Sequence, residues 1–142
     1  MKALTEKQTI QFGKKIAKNL RPGDILCLCG NLGTGKTTLV KGIAQGLRIK
    51  KNITSPTFTL MNIYDTRNTE YRICHLAHID TYRLKSEREL IEIGVEDYLG
   101  APDTVCVIEW PEKIRGLLKG KHAKSIKIKT INENSREIEM NF

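Results

Sequence analysis

Long apolar runs are missing. No stretch of the chain approaches the 18 or more consecutive apolar residues that a membrane span requires. The N-terminal MKALTEKQTIQFGKK has neither the continuous apolar segment nor the small-residue cleavage site of a secretory signal. A cytoplasmic protein is expected. Cysteines are few: four in 142 residues, none in a C-x-x-C, with Cys27 and Cys29 inside one apolar run and Cys74 and Cys106 each in another. That disfavours a zinc site or a disulfide framework and predicts small buried hydrophobes. Aromatic residues make up only 6% of the chain, and none interrupts the basic run from Lys113 to Lys129. The stacking platform of a single-strand nucleic-acid binder is therefore lacking there.

With 39% hydrophobic and 28% charged residues, the composition is that of an ordinary globular protein. A chain of this length buries roughly two-thirds of the surface its unfolded form exposes, enough for one domain over residues 1–142. The net charge of +8 is unevenly spread: eight acids against one base from Ser86 to Glu112, then seven bases and no acid from Lys113 to Lys129. The basic run is either a solvated lysine-rich face or a surface for a partner of patchy charge or for RNA phosphates.

Thr5 and Gln8 have the spacing of a capping box, and Phe12, Ile16 and Leu20 follow at helical intervals, so the first element is an amphipathic helix ended by Arg21-Pro-Gly-Asp. Ile25 to Cys29 is wholly apolar and bounded by turn signals, as expected of a parallel strand buried on both faces. A glycine loop leads into a helix from Lys36 to about Gln45, with Gly46 as its stop. Thr57 to Tyr64 and Tyr71 to Ile79 are β-rich runs that suggest an antiparallel pair. Ser86 and Glu89 form a second capping box opening a helix to about Ile93, Thr104 to Ile108 is a second buried strand, and Pro111 starts a basic segment to about Leu118. Ser125 to Ile131 and Arg136 to Met140 alternate in period two around a polar turn, which predicts a terminal hairpin.

The strongest chemical signal is Gly30-Asn31-Leu32-Gly33-Thr34-Gly35-Lys36-Thr37, a G-x-x-x-x-G-K-[ST] between a predicted buried strand and a predicted helix. Glycines let backbone N–H groups turn inward around phosphate oxygens, and the helix N-terminus adds donors and a favourable dipole. Lys36 can reach the β and γ phosphates, and the Thr37 hydroxyl can complete the shell of a Mg²⁺. The fold that accommodates this motif is α/β: a three-layer, P-loop NTPase-like arrangement with a mainly parallel central sheet, antiparallel strands at its edges and a C-terminal β-hairpin.

A phosphate-bound Mg²⁺ calls for a carboxylate at the end of a neighbouring strand. Glu109 follows four apolar residues and Asp80 ends the run Cys-His-Leu-Ala-His-Ile; Glu109 is favoured as the ligand, Asp80 as a group that supports it or orients water. No N-K-x-D occurs to read guanine, and the D-x-x-G at Asp97 follows a helix rather than a strand, so ATP is the expected nucleotide. His75 and His78 fall on opposite faces of a strand, which argues against joint metal ligation. His78, Asp80 and Tyr82 would share one face if the strand persists, either as a polar cluster near the γ phosphate or with His78 as a structural residue. Trp110, the lone tryptophan, directly follows Glu109 and is expected near the nucleotide.

On these residues the chain resembles the TsaE (YjeE-type) family, the bacterial P-loop ATPases of tRNA threonylcarbamoyladenosine biosynthesis. The resemblance rests on Thr9 and Gly13 in the first helix, GNLGTGKTT at 30–38, SPTF at 55–58, HIDTYRL at 78–84, Glu89 to Gly94 as E-x-x-x-x-G, and VIEWPEK at 107–113. It implies that Asn31, Leu32, Gly33, Thr34, Gly35, Lys36, Thr37 and Thr38 cradle ATP, with Glu6 and Arg136 as further nucleotide contacts. Thr37 and Glu109 would hold Mg²⁺, and Lys36, Asp80, Glu109 and Trp110 would serve turnover. Ser55 and Thr57 would lie in a switch-like loop. Asn31 is a departure, since the family usually carries Asp there; the backbone cradle is unaffected. The resemblance further implies TsaB and TsaD as partners, with transfer of the threonylcarbamoyl group to adenosine 37 of tRNAs reading codons that begin with A carried out in TsaD, and tRNA met indirectly through that complex. The competing expectations are a small-molecule kinase, for which Arg115 is an isolated lid candidate, and a nucleotide-dependent module that touches RNA through the basic run.

Overall fold

The computed structural model describes residues 3–31, 33, 35–66 and 72–141. Along the chain run β1 (Ala3–Leu4), α1 (Glu6–Lys18), β2 (Ile25–Cys29), α2 (Lys36–Gly46), β3 (Met61–Asp65), β4 (His75–Asp80), α3 (Glu87–Glu92), β5 (Thr104–Glu109), α4 (Arg115–Leu118), β6 (Ala123–Asn132) and β7 (Ser135–Asn141), with 3-10 turns at Val95–Asp97 and Pro111–Ile114. The strands form one sheet in the order β1-β7-β6-β2-β5-β4-β3. Its four central strands, β6, β2, β5 and β4, are mutually parallel, while β3 closes one edge and the β6–β7 hairpin with β1 the other by antiparallel pairing. This is the expected mixed α/β sheet. The parallel pairing of β6 with β2 is added by the structure.

The two apolar runs read as buried strands have helices or turns over both faces. Leu26 and Leu28 of β2, with Val105 and Val107 of β5, pack against Ile16 of α1 and Leu39, Val40 and Ile43 of α2. Ile25, Cys27, Cys106 and Ile108 point the other way, into a second core with Leu90, Val95, Leu99 and Ile114. Covering both faces is what removes the polar alternation from these sequences. Each such Leu or Ile fully withdrawn from water contributes about 1.5–3 kcal/mol, and this fixes β2 and β5 as the rigid platform whose carboxyl ends carry the site. Among the described residues no helix is long and apolar enough to cross a membrane.

Both capping boxes form. At the first, the Gln8 N–H donates to Thr5 Oγ1 at 3.2 Å and the Thr5 N–H to Gln8 Oε1 at 2.9 Å. Thr5→Ala removes the acceptor for an N–H that no helical carbonyl can reach. It should lower stability by about 1 kcal/mol in denaturant titration, and an unchanged midpoint would show that water replaces the cap at no cost.

Four local expectations need correction. Gly46 is not the left-handed stop after α2: it is the last helical residue, Leu47 is the cap, and Arg48 takes the left-handed turn at φ 62°. Gly46 is instead a packing residue, where a Cβ would lie 2.5 Å from the Ala17 Cβ. Strand β3 begins at Met61, not Thr57, because the Leu60 N–H closes a turn onto Pro56 O at 2.7 Å and Leu60 adopts φ 68°. Strand β4 begins at His75, with Arg72 in the left-handed region; Tyr71, where it was expected to start, lies outside the described residues. Cys74 is exposed and Cys29 half-buried, so only Cys27 and Cys106 behave as buried hydrophobes.

Candidate functional site

The carboxyl ends of β2, β4 and β5 converge on the start of α2. Gly35 precedes that helix at φ 96°, a left-handed turn that calls for glycine, and the Arg136 side chain reaches in close beside it, with Nε 2.9 Å from where a Cβ would sit. The first N–H groups of α2 have no carbonyl partners within the helix and carry its positive dipole end. Lys36 is 5% exposed, and its Nζ donates to Gly30 O at 2.6 Å while lying 3.8 Å from the centroid of the Trp110 ring. Burial pulls its ammonium below the ordinary lysine range, opposed by Glu109, then Asp80 and Glu112.

Parallel pairing of β4 and β5 sets Asp80 directly beside Glu109, and both are buried. Asp80 Oδ2 accepts from Thr57 Oγ1 at 3.2 Å and Oδ1 from the Tyr82 N–H at 2.9 Å, while the Ser55 and Thr57 hydroxyls meet at 2.7 Å. Glu109 Oε2 lies 2.6 Å from His78 Nε2. The chain leaves β5 through Trp110 in the left-handed region, φ 60° and ψ 52°, held by the Thr81 hydroxyl, which donates to Trp110 O at 2.5 Å. This bend turns the indole back over Lys36. Tyr82 packs on it with ring centroids 5.1 Å apart.

Lys36, Asp80, Tyr82, Glu109 and Trp110 line a cleft of about 430 Å³ together with Gly33, Gly35, Thr37, Thr38, Ser55, Thr57, Arg83 and Arg136. Of the residues singled out in the sequence, Gly33, Gly35, Lys36, Thr37, Thr38, Asp80, Glu109, Trp110 and Arg136 are thus brought together. Leu32 and Thr34 lie outside the described residues. Glu6 stands exposed in the first turn of α1 and Asn31 faces a neighbouring hollow with Lys127, Lys129 and Thr130; neither lines the cleft. Arg136 is anchored from behind, its Nη1 donating to Thr9 Oγ1 at 3.2 Å.

The shared-face expectation for the 78–82 segment holds only in part. His78 and Asp80 do share a face, but β4 ends at Asp80 and Tyr82 reaches the cleft from the following turn. His78 partners Glu109, which the sequence left open. His75 points elsewhere and bonds Asp65 through Nδ1 at 2.9 Å. Thr81 was missed; a hydroxyl residue directly after a strand-terminal acid was its only signal. A helix N-terminus with a lysine, two adjoining buried carboxylates and an arginine beside Gly35 suits an anion carrying a hard cation.

Comparison with known proteins agrees with this geometry. The family model described as threonylcarbamoyl adenosine biosynthesis protein TsaE matches residues 3–138. A tRNA threonylcarbamoyladenosine biosynthesis protein TsaE from Treponema pallidum is 38% identical over 92% of this chain and 90% of its own length. Its namesake from Bacillus subtilis is 35% identical over 96% of this chain and 81% of its own. The crystal structure of Bacillus subtilis YdiB superposes with a TM-score of 0.76 at 32% identity, covering 96% of this chain and 80% of that one, which places the sheet and its glycine turn in the P-loop-like fold. The match runs from β1 into β7 and takes in every wall of the cleft, so the chain belongs to the TsaE family.

Proposed function

We propose that the chain is a single Mg²⁺-dependent ATPase domain, weak alone, that acts in the cytoplasm with TsaB and TsaD to form threonylcarbamoyladenosine at position 37 of tRNAs reading codons that begin with A. One observation carries the ATPase reading: Lys36 and Thr37, which open α2, line one cleft with the paired carboxylates Asp80 and Glu109. The tRNA role is supported by the names of the relatives.

In this reading Gly33, Gly35, Lys36, Thr37 and Thr38 cradle the phosphates, Lys36 and Arg136 neutralise them, and Trp110, with Tyr82 packed on it, covers the Lys36 ammonium. Hard oxygen donors, a hydroxyl and buried carboxylates fit Mg²⁺, which takes few protein ligands and keeps several waters. Thr37 and Glu109 would hold it. Once bound it would offset charge on the transferring phosphoryl group. Asp80, tied to Thr57, links the 55–58 loop to the reacting end of the nucleotide. The protein's groups position and stabilise; phosphoryl transfer needs little else. A kinase needs an acceptor pocket and an arginine lid, and Arg115 stands exposed on α4, outside the cleft.

Depletion of the protein from its own cells, followed by mass analysis of tRNA nucleosides, tests the reading. Threonylcarbamoyladenosine should disappear and return with the wild-type chain but not with Lys36→Ala. A level unchanged after full depletion overturns it.

A further inference from the structure

We infer that His78 is a positioning residue for Glu109: its Nε2–H fixes one carboxylate oxygen so that the other is presented to the cation. The inference rests on the proposed role of Glu109 as a Mg²⁺ ligand. Three observations carry it. His78 is fully buried at 0% exposure and its Nε2 lies 2.6 Å from Glu109 Oε2. Its other nitrogen, Nδ1, is buried with no hydrogen-bond partner among the described residues. The backbone register holds the pair in place, because His78 sits opposite Val107 and Asp80 opposite Glu109 on adjoining parallel strands.

The tautomer follows from the surroundings. Among the described residues a proton on Nδ1 would be a buried donor without an acceptor, which costs its full desolvation. The ring proton therefore belongs on Nε2, where the carboxylate accepts it. Nothing in this arrangement makes His78 an acid or base for the reaction, since it is fully buried and does not line the cleft, whereas Glu109 and Asp80 do. What it does is remove the freedom of a side chain with three rotatable bonds, so that one oxygen is committed to the imidazole. Partners of metal ligands of this kind characteristically tune metal affinity by 10–100-fold. A packing histidine would instead have been exchangeable for any apolar side chain of its size.

The test measures binding, not turnover. A non-hydrolysable ATP analogue is titrated into the intact protein by calorimetry over a Mg²⁺ series, for wild type, His78→Leu, His78→Gln and Glu109→Gln. The Gln side chain can place an N–H close to the Nε2 position; Leu cannot. His78→Leu should raise the Mg²⁺ concentration needed for tight binding by about 10–100-fold, with metal-free binding unchanged, and His78→Gln should recover most of it. If Glu109→Gln loses the Mg²⁺ dependence while His78→Leu keeps it, or if Gln does no better than Leu, the positioning role is overturned and the metal ligand stands. Should Glu109→Gln itself keep the dependence, both fall. Imidazole ¹⁵N spectra of the wild-type chain decide the matter even if His78→Leu fails to fold: a proton on Nε2 with bare Nδ1 is required, and the opposite tautomer overturns the inference.

Discussion

Lys36→Ala is expected to cut ATP turnover by about 10²–10³-fold while leaving the fold at least as stable as before. The loss follows from the place of the ammonium, 5% exposed at the start of α2 and aimed from below a tryptophan ring into the cleft. A fixed charge in a water-poor site stabilises developing phosphate charge far better than one in bulk water, and deleting a single preorganised group of this kind costs that order of rate. The retained stability follows from the same burial. Because desolvation holds the ammonium below the ordinary lysine range, the unfolded chain binds protons more readily here than the folded one. Stability of the parent should therefore rise with pH across the alkaline window between the lowered and the ordinary value. That rise should vanish in Lys36→Ala. Lys36→Arg should not rescue turnover, since a planar fork cannot fill the space between Gly30 O at 2.6 Å and the indole at 3.8 Å. Steady-state ATPase rates and urea melts at two pH values check all three statements, and near-normal turnover in Lys36→Ala would remove it from the reaction.

Gly42→Ala should be the most damaging conservative change in the fold. By helix propensity alone alanine is better by about 1 kcal/mol. Here a Cβ would stand 2.3 Å from Ile10 O and 3.0 Å from Ile10 Cα, both backbone atoms of α1. No side chain can rotate aside, so the helices must part. Overpacking of this kind costs about 1–3 kcal/mol and occasionally more, and here it exceeds the propensity gain because Gly13 and Gly46 sit in the same crossing, where a Cβ would lie 2.7 Å and 2.5 Å from its nearest neighbour. A net loss of about 2 kcal/mol should lower Tm by roughly 4–8 °C. Moving α1 also moves Thr9, which anchors Arg136, so ATP affinity should fall with stability. A Tm at or above that of the parent would show that the crossing is not set by this contact.

Local structure was legible wherever a local cause decided it. The T-x-x-Q and S-x-x-E spacings specified both caps, the two uninterrupted apolar runs specified β2 and β5, and the glycine-lysine turn between strand and helix specified the cleft floor. What could not be read depended on contacts far apart in the chain. Gly46 looks like a stop in sequence; only the approach of Ala17 makes it a packing residue. The β-rich composition from Thr57 to Tyr64 suggests a strand over the whole run, but the Pro56–Leu60 turn overrides it. The pairing of His78 with Glu109, 31 residues on, depends on the register of two parallel strands, which no spacing within either strand reveals. Glu6 was suggested by likeness alone, and no chemistry of its own draws it into the cleft.

The distribution of thiols has a practical side. Burial pushes the Cys27 thiol up to about 11 and that of Cys106 up to about 12, and Cys29 is also raised, so these sulfurs stay protonated and sluggish toward electrophiles at neutral pH. Cys74 is exposed and sits just before β4, whose far end carries Asp80. At about 3.3 Å per residue, the length of β4 separates it from the carboxylates of the cleft by about 20 Å. A maleimide dye added to the native chain should therefore land on one position, remote from the cleft, and give a fluorescent handle for following assembly without any engineered substitution.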